Sequence, residues 1–278
     1  ITDKSMNQLT LQHNETKIHY TLRFASAMCF IGHGTFGIIG KKIWLNYFAV
    51  FGINSVLGTQ LMPWLGAIDI LMGISILLYP TRAVLGWLMI WGAVTAFCRP
   101  MSGEPFAEFI ERAGNFGAPF TLLLLSGFNL RDIKSWFTRV SPDVKISPDT
   151  RKRMVICLRI IVCLLFIGHG WLNLIEKKGI VEQYTSLGFS NPVNVAHIVG
   201  LFEILAAISV LIKPLRPLLL AFLVWKMGSE LFYPHWELFE FIERGGSYGA
   251  ILALWLALPA SNLLAGKRVK VPASIKMI

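Results

Sequence analysis

Two histidines that could transfer protons lie in the same five-residue sequence, which occurs twice in the chain. His33 lies in FIGHG at 30–34, and His169 lies in FIGHG at 166–170. An imidazole can donate and accept protons near neutral pH, or ligate a metal. The flanking glycines let a neighbouring helix or a flat ligand approach the ring closely. The pattern indicates either a functional histidine in each copy or a histidine that hydrogen-bonds a neighbouring helix and fixes its packing.

A carboxylic acid within an apolar segment is the second duplicated feature. Asp69 and Glu203 stand at matching places, and a serine follows each acid six residues later. An unpaired carboxylate in an apolar environment is costly unless it takes up a proton. We therefore expect each acid to accept protons or to bind substrate. The alternative is an acid that pairs with an arginine or histidine of the same half.

A third sequence, FIER, occurs at 109–112 and again at 241–244. In each copy the preceding glutamate has the i,i+4 spacing from the arginine that forms an ion pair along one helix face. The arginines are expected to hold an anion or a quinone-type carbonyl near the histidines, and the alternative is a helix cap with a surface salt bridge. The candidate ligand-binding residues are Arg112, Arg244, Glu108, Glu240, Glu111, Glu243, Asn115 and Ser247, and the candidate catalytic residues are His33, His169, Asp69 and Glu203.

Two polar residues are not duplicated. Lys226 and Glu230 occur in the second half, where Gly92 and Ala96 stand in the first. Their i,i+4 spacing predicts an ion pair. Because this pair makes the two halves different, one asymmetric site agrees with the sequence as well as two equal sites do.

The elements that position these residues are strongly apolar. Hydrophobic residues make up 54% of the 278 residues, charged residues 15%, and the mean hydropathy is +0.58. Apolar blocks of about 20 residues are long enough to cross a bilayer as helices. They are continuously apolar, whereas the strands of a membrane barrel alternate. We predict an all-α integral membrane protein with eight transmembrane helices, at 21–39, 61–79, 81–97, 105–125, 155–174, 195–212, 215–232 and 236–258.

The matched motifs recur in the same order, which indicates a duplicated unit. With four spans in each unit, both units insert in the same orientation, so we predict two parallel four-helix repeats related by a pseudo-twofold axis along the membrane normal. Short aromatic or polar segments after the first span of each unit are expected to cover the outer face, at 43–53 and 180–189. The predicted regions are a polar cytoplasmic N-terminal segment (1–20), repeat 1 (21–128), a basic cytoplasmic linker (129–153), repeat 2 (154–262) and a basic cytoplasmic tail (263–278).

The formal net charge of +10 reports membrane topology rather than nucleic-acid binding. Most lysines and arginines fall in the N-terminal segment, the linker, the tail and two loops on the same predicted side. Positive residues stay on the cytoplasmic side. We therefore predict a multi-pass protein of the cell inner (plasma) membrane with both termini cytoplasmic, the lipid bilayer as its partner, and its buried polar residues in the outer half of the bilayer.

Each half resembles a DoxX-type four-helix membrane protein. The resemblance rests on a first span that starts with Leu-Arg and ends in Gly-His-Gly followed by lysines, and on a second span with an embedded acid. It rests also on a fourth span opening with ERAGN at 111–115 or ERGGS at 243–247. The family is similar to quinone-reducing subunits of thiosulfate oxidation and to membrane partners of redox enzymes. The resemblance implies an internal pseudo-dimer of four-helix units.

The leading hypothesis is a redox-linked membrane protein that binds a quinone or a similar small ligand in an outer-half pocket. A haem ligated by both His33 and His169 carries less weight than a quinone. No metal site is predicted, since the four cysteines form no CxxC pair. The alternatives are a non-catalytic subunit that assembles with other subunits of a membrane complex, and a small-solute or proton-coupled transporter. The predicted spans show no break in their middle, whereas many transporter sites need one, and this argues against the transporter.

Overall fold

The computed structural model describes residues 3–127, 131–143, 146–231 and 238–259, which form thirteen helices. We call residues 3–127 the first half and residues 146–259 the second half. The helices up to residue 143 are α1 (Asp3–Ile39), α2 (Trp44–Val50), α3 (Ser55–Leu78), α4 (Arg82–Met101), α5 (Ala107–Glu111), α6 (Ala113–Ser126) and α7 (Ile133–Trp136). Those of the second half are α8 (Pro148–Leu174), α9 (Lys178–Ser186), α10 (Pro192–Ile212), α11 (Arg216–Leu231), α12 (Leu238–Glu243) and α13 (Gly245–Ala257).

Among the described residues, five helices are long and apolar enough to cross a membrane: α1 from Asn14 onward, α3, α4, α8 and α10. Helices α6 and α13 are apolar but shorter. The all-helical membrane class is confirmed, whereas the count of eight spans and the pseudo-twofold repeat stay predictions. Helix α1 begins at Asp3, so it runs from the predicted N-terminal segment into the first span without a break. The predicted tail (263–278) and the start of the last predicted span (236–237) lie outside the described residues.

The fourth and eighth predicted spans contain a break that the sequence pattern does not predict. Arg112 separates α5 from α6 and has φ −90° and ψ 16°. Its backbone N–H bonds to Phe109 O and not to Glu108 O, and its side chain donates to that freed Glu108 carbonyl at 2.9 Å. The arginine thus satisfies the helix end itself, so the interruption is tolerated among apolar residues. Arg244 separates α12 from α13 at the matching place.

Helices α1 and α8 are the central elements, and each packs against the broken helix of the other half. Helix α1 contacts α3 and also α12 and α13, while α8 contacts α10 and also α5 and α6. Glycines permit this approach: a Cβ on Gly32 would lie 2.8 Å from Glu243 Cα, and a Cβ on Gly168 would lie 2.6 Å from Glu111 Cα. The glycines beside both histidines therefore bring the Glu–Arg sequence of the opposite half close to each imidazole.

The short helices α2 and α9 follow the first long helix of each half, as the short segments at 43–53 and 180–189 predict. Trp44 and Phe48 of α2 are buried and pack with Phe36 and Met62. In the second half, Ile180 and Tyr184 of α9 pack in a separate cluster with Leu172, Ala196 and Ala107. Both short helices consequently form part of the wall around the histidines.

Polar side chains define the ends of the long helices. The Ser147 hydroxyl accepts a hydrogen bond from Thr150 N at 3.1 Å and so caps the start of α8. Arg23 Nε donates to Ile76 O at 2.7 Å near the end of α3. At the matching place Arg159 donates to Val210, Leu211 and Ile212 carbonyls at the end of α10. These bonds fix α1 to α3 and α8 to α10 at one end of each pair.

Candidate functional site

His33 belongs to a buried hydrogen-bonded triad that joins three helices. Its Nδ1 lies 2.8 Å from Asp69 Oδ2, and the Trp91 indole N–H donates to Asp69 Oδ1 at 2.8 Å. Asp69 is 1% exposed, so both carboxylate oxygens have their partner inside the protein. With Asp69 ionised, the His33 Nδ1 carries a proton and Nε2 is left free to accept one.

The second half contains the same triad. His169 Nδ1 lies 2.7 Å from Glu203 Oε2, and Trp225 Nε1 donates to Glu203 Oε1 at 2.8 Å. Both acids are therefore paired with the histidine of their own half. This agrees with the alternative prediction, in which each acid pairs with an arginine or histidine of the same half. In both halves 22 residues separate the acid from the tryptophan. This repeated spacing is the signal by which the sequence could have identified Trp91 and Trp225, which it does not single out as site residues.

A cavity of about 250 Å³ opens beside His33. The Trp44 ring stacks at a tilt of 31° on the His33 imidazole, with 4.5 Å between the ring centroids. A cavity of about 150 Å³ already accepts benzene, so this volume suits one substituted ring. Aromatic walls come from Trp44, Tyr47, Phe48, Phe51 and Trp91. The polar lining consists of His33, Asp69, Arg99, Arg112, Asn115 and Glu243.

Two buried polar atoms of residues that line this cavity lack a hydrogen-bond partner among the described residues. They are Arg112 Nε and Asn115 Oδ1, on side chains that are 5% and 7% exposed. A buried donor or acceptor without a partner costs about 1–3 kcal/mol. A ligand with one acceptor and one donor would satisfy both atoms. The arginine and the asparagine of the predicted ligand-binding set therefore lie where a ligand could bind.

Tyr47 and Arg99 close the cavity on its polar side, and the sequence pattern does not identify them as site residues. The Tyr47 hydroxyl donates to Glu104 Oε1 at 2.5 Å, and Arg99 pairs with the other oxygen of Glu104 at 2.8 Å. Burial raises the pKa of Tyr47 above its ordinary value. The phenol consequently stays protonated and serves as a donor at neutral pH.

A smaller cavity of about 160 Å³ lies beside His169, and its lining is mostly charged or polar. Asn173 stands where the first half has Gly37, and its amide lies 3.4 Å from Glu203 Oε2. Tyr184 in turn donates to Asn173 Oδ1 at 2.8 Å. Neither of these two cavities is lined by both histidines. The arrangement thus gives no support to a haem held between His33 and His169.

The Glu–Arg residues form a buried ion-pair network between the halves. Arg112 pairs with Glu108 at 2.6 Å, which confirms the predicted i,i+4 pair of the first half. The matching prediction for the second half is wrong, since Glu240 pairs with Lys41 of the first half at 2.7 Å. In the same crosswise manner, Lys177 pairs with Glu108. The lysines after each Gly-His-Gly sequence therefore reach the glutamates of the opposite half.

The residues found only in the second half complete this network. Lys226 is fully buried and pairs with Glu230 at 2.7 Å, as its spacing predicts. It also lies 3.2 Å from Glu111. Arg244 pairs with the same two glutamates, at 3.3 Å for Glu230 and 3.9 Å for Glu111. Glu111 and Glu230 consequently each have a lysine and an arginine partner within the protein.

The predicted site residues divide between the two cavities. Arg112 lines both, and so links them. His33, Asp69, Asn115 and Glu243 line the larger cavity, whereas His169, Arg244, Glu111 and Glu240 line the smaller one. Those that line neither cavity are Glu108, Glu203 and Ser247.

Comparison with known protein families gives one match. The DoxX family model matches residues 154–236, which contain His169, Glu203 and Trp225. The match lies inside the predicted second repeat and confirms the resemblance to DoxX-like membrane proteins there, while the tandem duplication stays a prediction. No curated protein and no solved structure gives a significant match to the chain.

Proposed function

We propose that this DoxX-like membrane protein is redox-linked and binds a quinone-type ring in the cavity beside His33. The observation that carries the proposal is the pair of unpartnered atoms, Arg112 Nε and Asn115 Oδ1, on two residues that line a cavity with aromatic sides. A ring in such a cavity gains from apolar burial against Trp44 and Trp91. An oxygen of the ring accepts from Arg112 Nε, and a hydroxyl on the reduced ring also donates to Asn115 Oδ1.

The proposed roles follow from the contacts of each side chain. Arg112 Nε donates to a ring oxygen and orients the ring. His33 gives or takes a proton through Nε2, since Asp69 holds Nδ1 at 2.8 Å. A carboxylate behind an imidazole favours the protonated imidazole, so it supports proton uptake by His33 from a hydroxyl of the bound ring. Aromatic walls keep water from the proton being moved.

The membrane arrangement that we propose has the cavity between two parallel four-helix repeats, in the outer half of the inner (plasma) membrane. The crosswise pairs Lys41–Glu240 and Lys177–Glu108 support a twofold relation between the halves. Two mutual contacts, at Gly32 and Gly168, support it as well. In this arrangement α6, α11 and α13 complete the count of eight spans, with α5 and α12 extending α6 and α13.

The proposal is tested by binding of a decyl-substituted benzoquinone to the purified protein in detergent. Quenching of tryptophan fluorescence reports binding, because Trp44 and Trp91 line the cavity. The His33→Gln variant is expected to bind the quinone at least tenfold more weakly. The matched control is His197→Gln, since His197 is half-exposed and pairs with Glu176 on the surface at 3.1 Å.

Equal affinity of the wild type and the His33→Gln variant would sink the proposal. Absence of any saturable quenching in the wild type would do so as well. That result would favour the assembly subunit, whose polar residues serve packing alone. Purification with associated membrane subunits would then be the next measurement.

A transporter is the second candidate, and the breaks at Arg112 and Arg244 favour it. Helices interrupted within the membrane expose backbone groups and charges at which transporters bind their substrates. Both breaks lie next to the smaller cavity, which Arg112 and Arg244 line. Proteoliposomes loaded with a pH-sensitive dye test this candidate, and proton flux that the Arg244→Gln variant loses would support it.

A further inference from the structure

The two halves differ at the place where a ligand would bind. In the second half, Lys226 Nζ lies 3.2 Å from Glu111 Oε1, and Arg244 Nε lies 3.3 Å from Glu230 Oε1. Lys226 and Glu230 are themselves paired at 2.7 Å. The Lys226–Glu230 pair therefore donates a hydrogen bond to Glu111 and accepts one from Arg244 Nε.

Beside His33, the matching arginine and glutamate, Arg112 and Glu243, lack those partners. Gly92 and Ala96 stand at the positions of Lys226 and Glu230. Arg112 Nε, which matches Arg244 Nε, has no hydrogen-bond partner among the described residues. Glu243, which matches Glu111, is 6% exposed, and among the described residues it pairs with Arg244 at 3.8 Å. Arg112, Glu243 and Ala96 all line the larger cavity.

We propose that the ligand of the larger cavity donates a hydrogen bond to Glu243 and accepts one from Arg112 Nε. It would thereby reproduce what the Lys226–Glu230 pair does for Glu111 and Arg244. A hydroxyl on an aromatic ring does both, because it carries one O–H donor and two acceptor lone pairs. The cavity thus takes the reduced, hydroxyl-bearing form of the ring in preference to the carbonyl form. This inference rests on the proposed function and names the ligand form for that same site.

The difference between the two halves also determines how many ligands one chain binds. In the second half the lysine–glutamate pair occupies the matching place, and Asn173, which stands where the first half has Gly37, lies 3.4 Å from His169 Nδ1. Charged groups that already have partners gain little from a ligand. The chain therefore binds one ring, beside His33, because Lys226 and Glu230 already pair with Glu111 and Arg244 at the matching place.

The first experiment compares three probes on the full-length wild-type protein in detergent without oxygen: a decyl-substituted benzoquinol, its di-O-methyl ether, and the corresponding quinone. Methylation keeps the ring and removes the O–H donor. The quinol is expected to bind at least tenfold more tightly than the di-O-methyl ether and more tightly than the quinone. Titration calorimetry is expected to give one quinol per chain.

The second experiment introduces the internal partner into the first half. In Ala96→Glu, a carboxylate reaches toward Arg112 Nε and takes the place of the ligand, so quinol affinity is expected to fall at least tenfold. Gly92→Lys combined with Ala96→Glu adds the donor for Glu243. Since either variant gives a partner to a buried group, its ligand-free melting temperature is expected to equal or exceed that of the wild type.

Ala83→Glu is the matched control for these variants. It makes the same substitution in α4, at a residue that does not line either cavity. Its quinol affinity is expected to match that of the wild type. A loss of affinity in Ala96→Glu that comes with a lower melting temperature would indicate mere disruption and would overturn the inference.

The outcomes separate this inference from the proposed function. Equal affinities for quinol and di-O-methyl ether, two quinols per chain, or unchanged binding in Ala96→Glu each overturn the inference and leave a ring-binding cavity in place. Saturable binding of none of the three probes removes the proposed function itself.

Discussion

The Trp91 indole N–H donates a hydrogen bond to Asp69 Oδ1 at 2.8 Å, on the carboxylate whose other oxygen contacts His33. The contact turns a costly buried acid into a fully satisfied one, since neither oxygen needs a water molecule. It also fixes the carboxylate plane and with it the orientation of the imidazole. Because the cavity is lined by all three residues, the geometry of the ligand wall depends on this one indole.

Trp91→Phe is therefore expected to lower the free energy of unfolding by about 1–3 kcal/mol, the cost of a buried acceptor without its donor. Unfolding in mixed micelles with increasing SDS measures the loss. Trp225→Phe is expected to give a loss of the same size, because Trp225 bonds to Glu203 at the same 2.8 Å. Trp64→Phe serves as the control, since Trp64 is 73% exposed. A wild-type stability for Trp91→Phe would show that the bond contributes nothing.

Asp69→Asn tests whether the charge of the carboxylate matters for the site. The amide retains the shape of the side chain and can still accept from Trp91, but it no longer favours a protonated imidazole. Affinity for the benzoquinol is expected to fall about tenfold, whereas the unfolding free energy changes by less than in Trp91→Phe. Fluorescence quenching and SDS titration on the same sample distinguish the two effects. Binding that survives with wild-type affinity would reduce Asp69 to a packing residue.

Many of the site residues could be predicted from the sequence, because the motifs that contain them occur twice. Repetition of FIGHG and FIER identifies His33, Arg112 and their counterparts, and an acid in an apolar segment is conspicuous without any structure. The Lys226–Glu230 pair follows from i,i+4 spacing alone. Local periodicity and the cost of buried charge thus account for the candidates and for the helical membrane class.

Contacts between the halves could not be derived in this way. Glu240 has the same i,i+4 spacing to an arginine as Glu108, yet it pairs with Lys41, which is 199 residues away. The i,i+4 spacing predicts partners on one helix, but the helix is interrupted at Arg244. Glu240 therefore pairs with a lysine of the other half. The break at Arg112 could not be predicted, since a side chain that satisfies its own helix end leaves no Pro or run of loop residues in the sequence.

The buried Lys226 is expected to be important for stability even though it does not line the larger cavity. Lys226→Met leaves Glu230 and Glu111 with fewer partners in a buried place, and breaking such a pair costs about 3–5 kcal/mol. Arg112 still contacts Glu111 at 3.0 Å, so we expect a value near the lower end of that range. The control is Lys178→Met, because Lys178 is 90% exposed in its pair with Glu182. Exposed pairs contribute about 0–1 kcal/mol, and equal losses for the two variants would contradict a buried network.

Gly114 and Gly246 make a close backbone contact between the halves, which provides a direct test of their packing. A Cβ on Gly114 would lie 2.5 Å from Ser247 N and 2.7 Å from Gly246 C, and one on Gly246 would lie 2.5 Å from Gly114 O. Backbone atoms cannot move aside as a flexible side chain can, so Gly114→Ala must separate α6 from α13. Overpacking of this kind costs about 1–3 kcal/mol.

Gly114→Ala is also expected to weaken quinol binding, because Asn115 is the next residue and Glu243 reaches the cavity from the other side of this contact. Gly228→Ala is the matched control: no described atom lies within 4 Å of a Cβ at Gly228, and alanine in a helix is more stable than glycine by about 0.5–1 kcal/mol. SDS unfolding and fluorescence quenching of both variants give the comparison. If Gly114→Ala unfolds and binds like Gly228→Ala, the halves do not meet at these glycines, and a cavity built from both halves loses its basis.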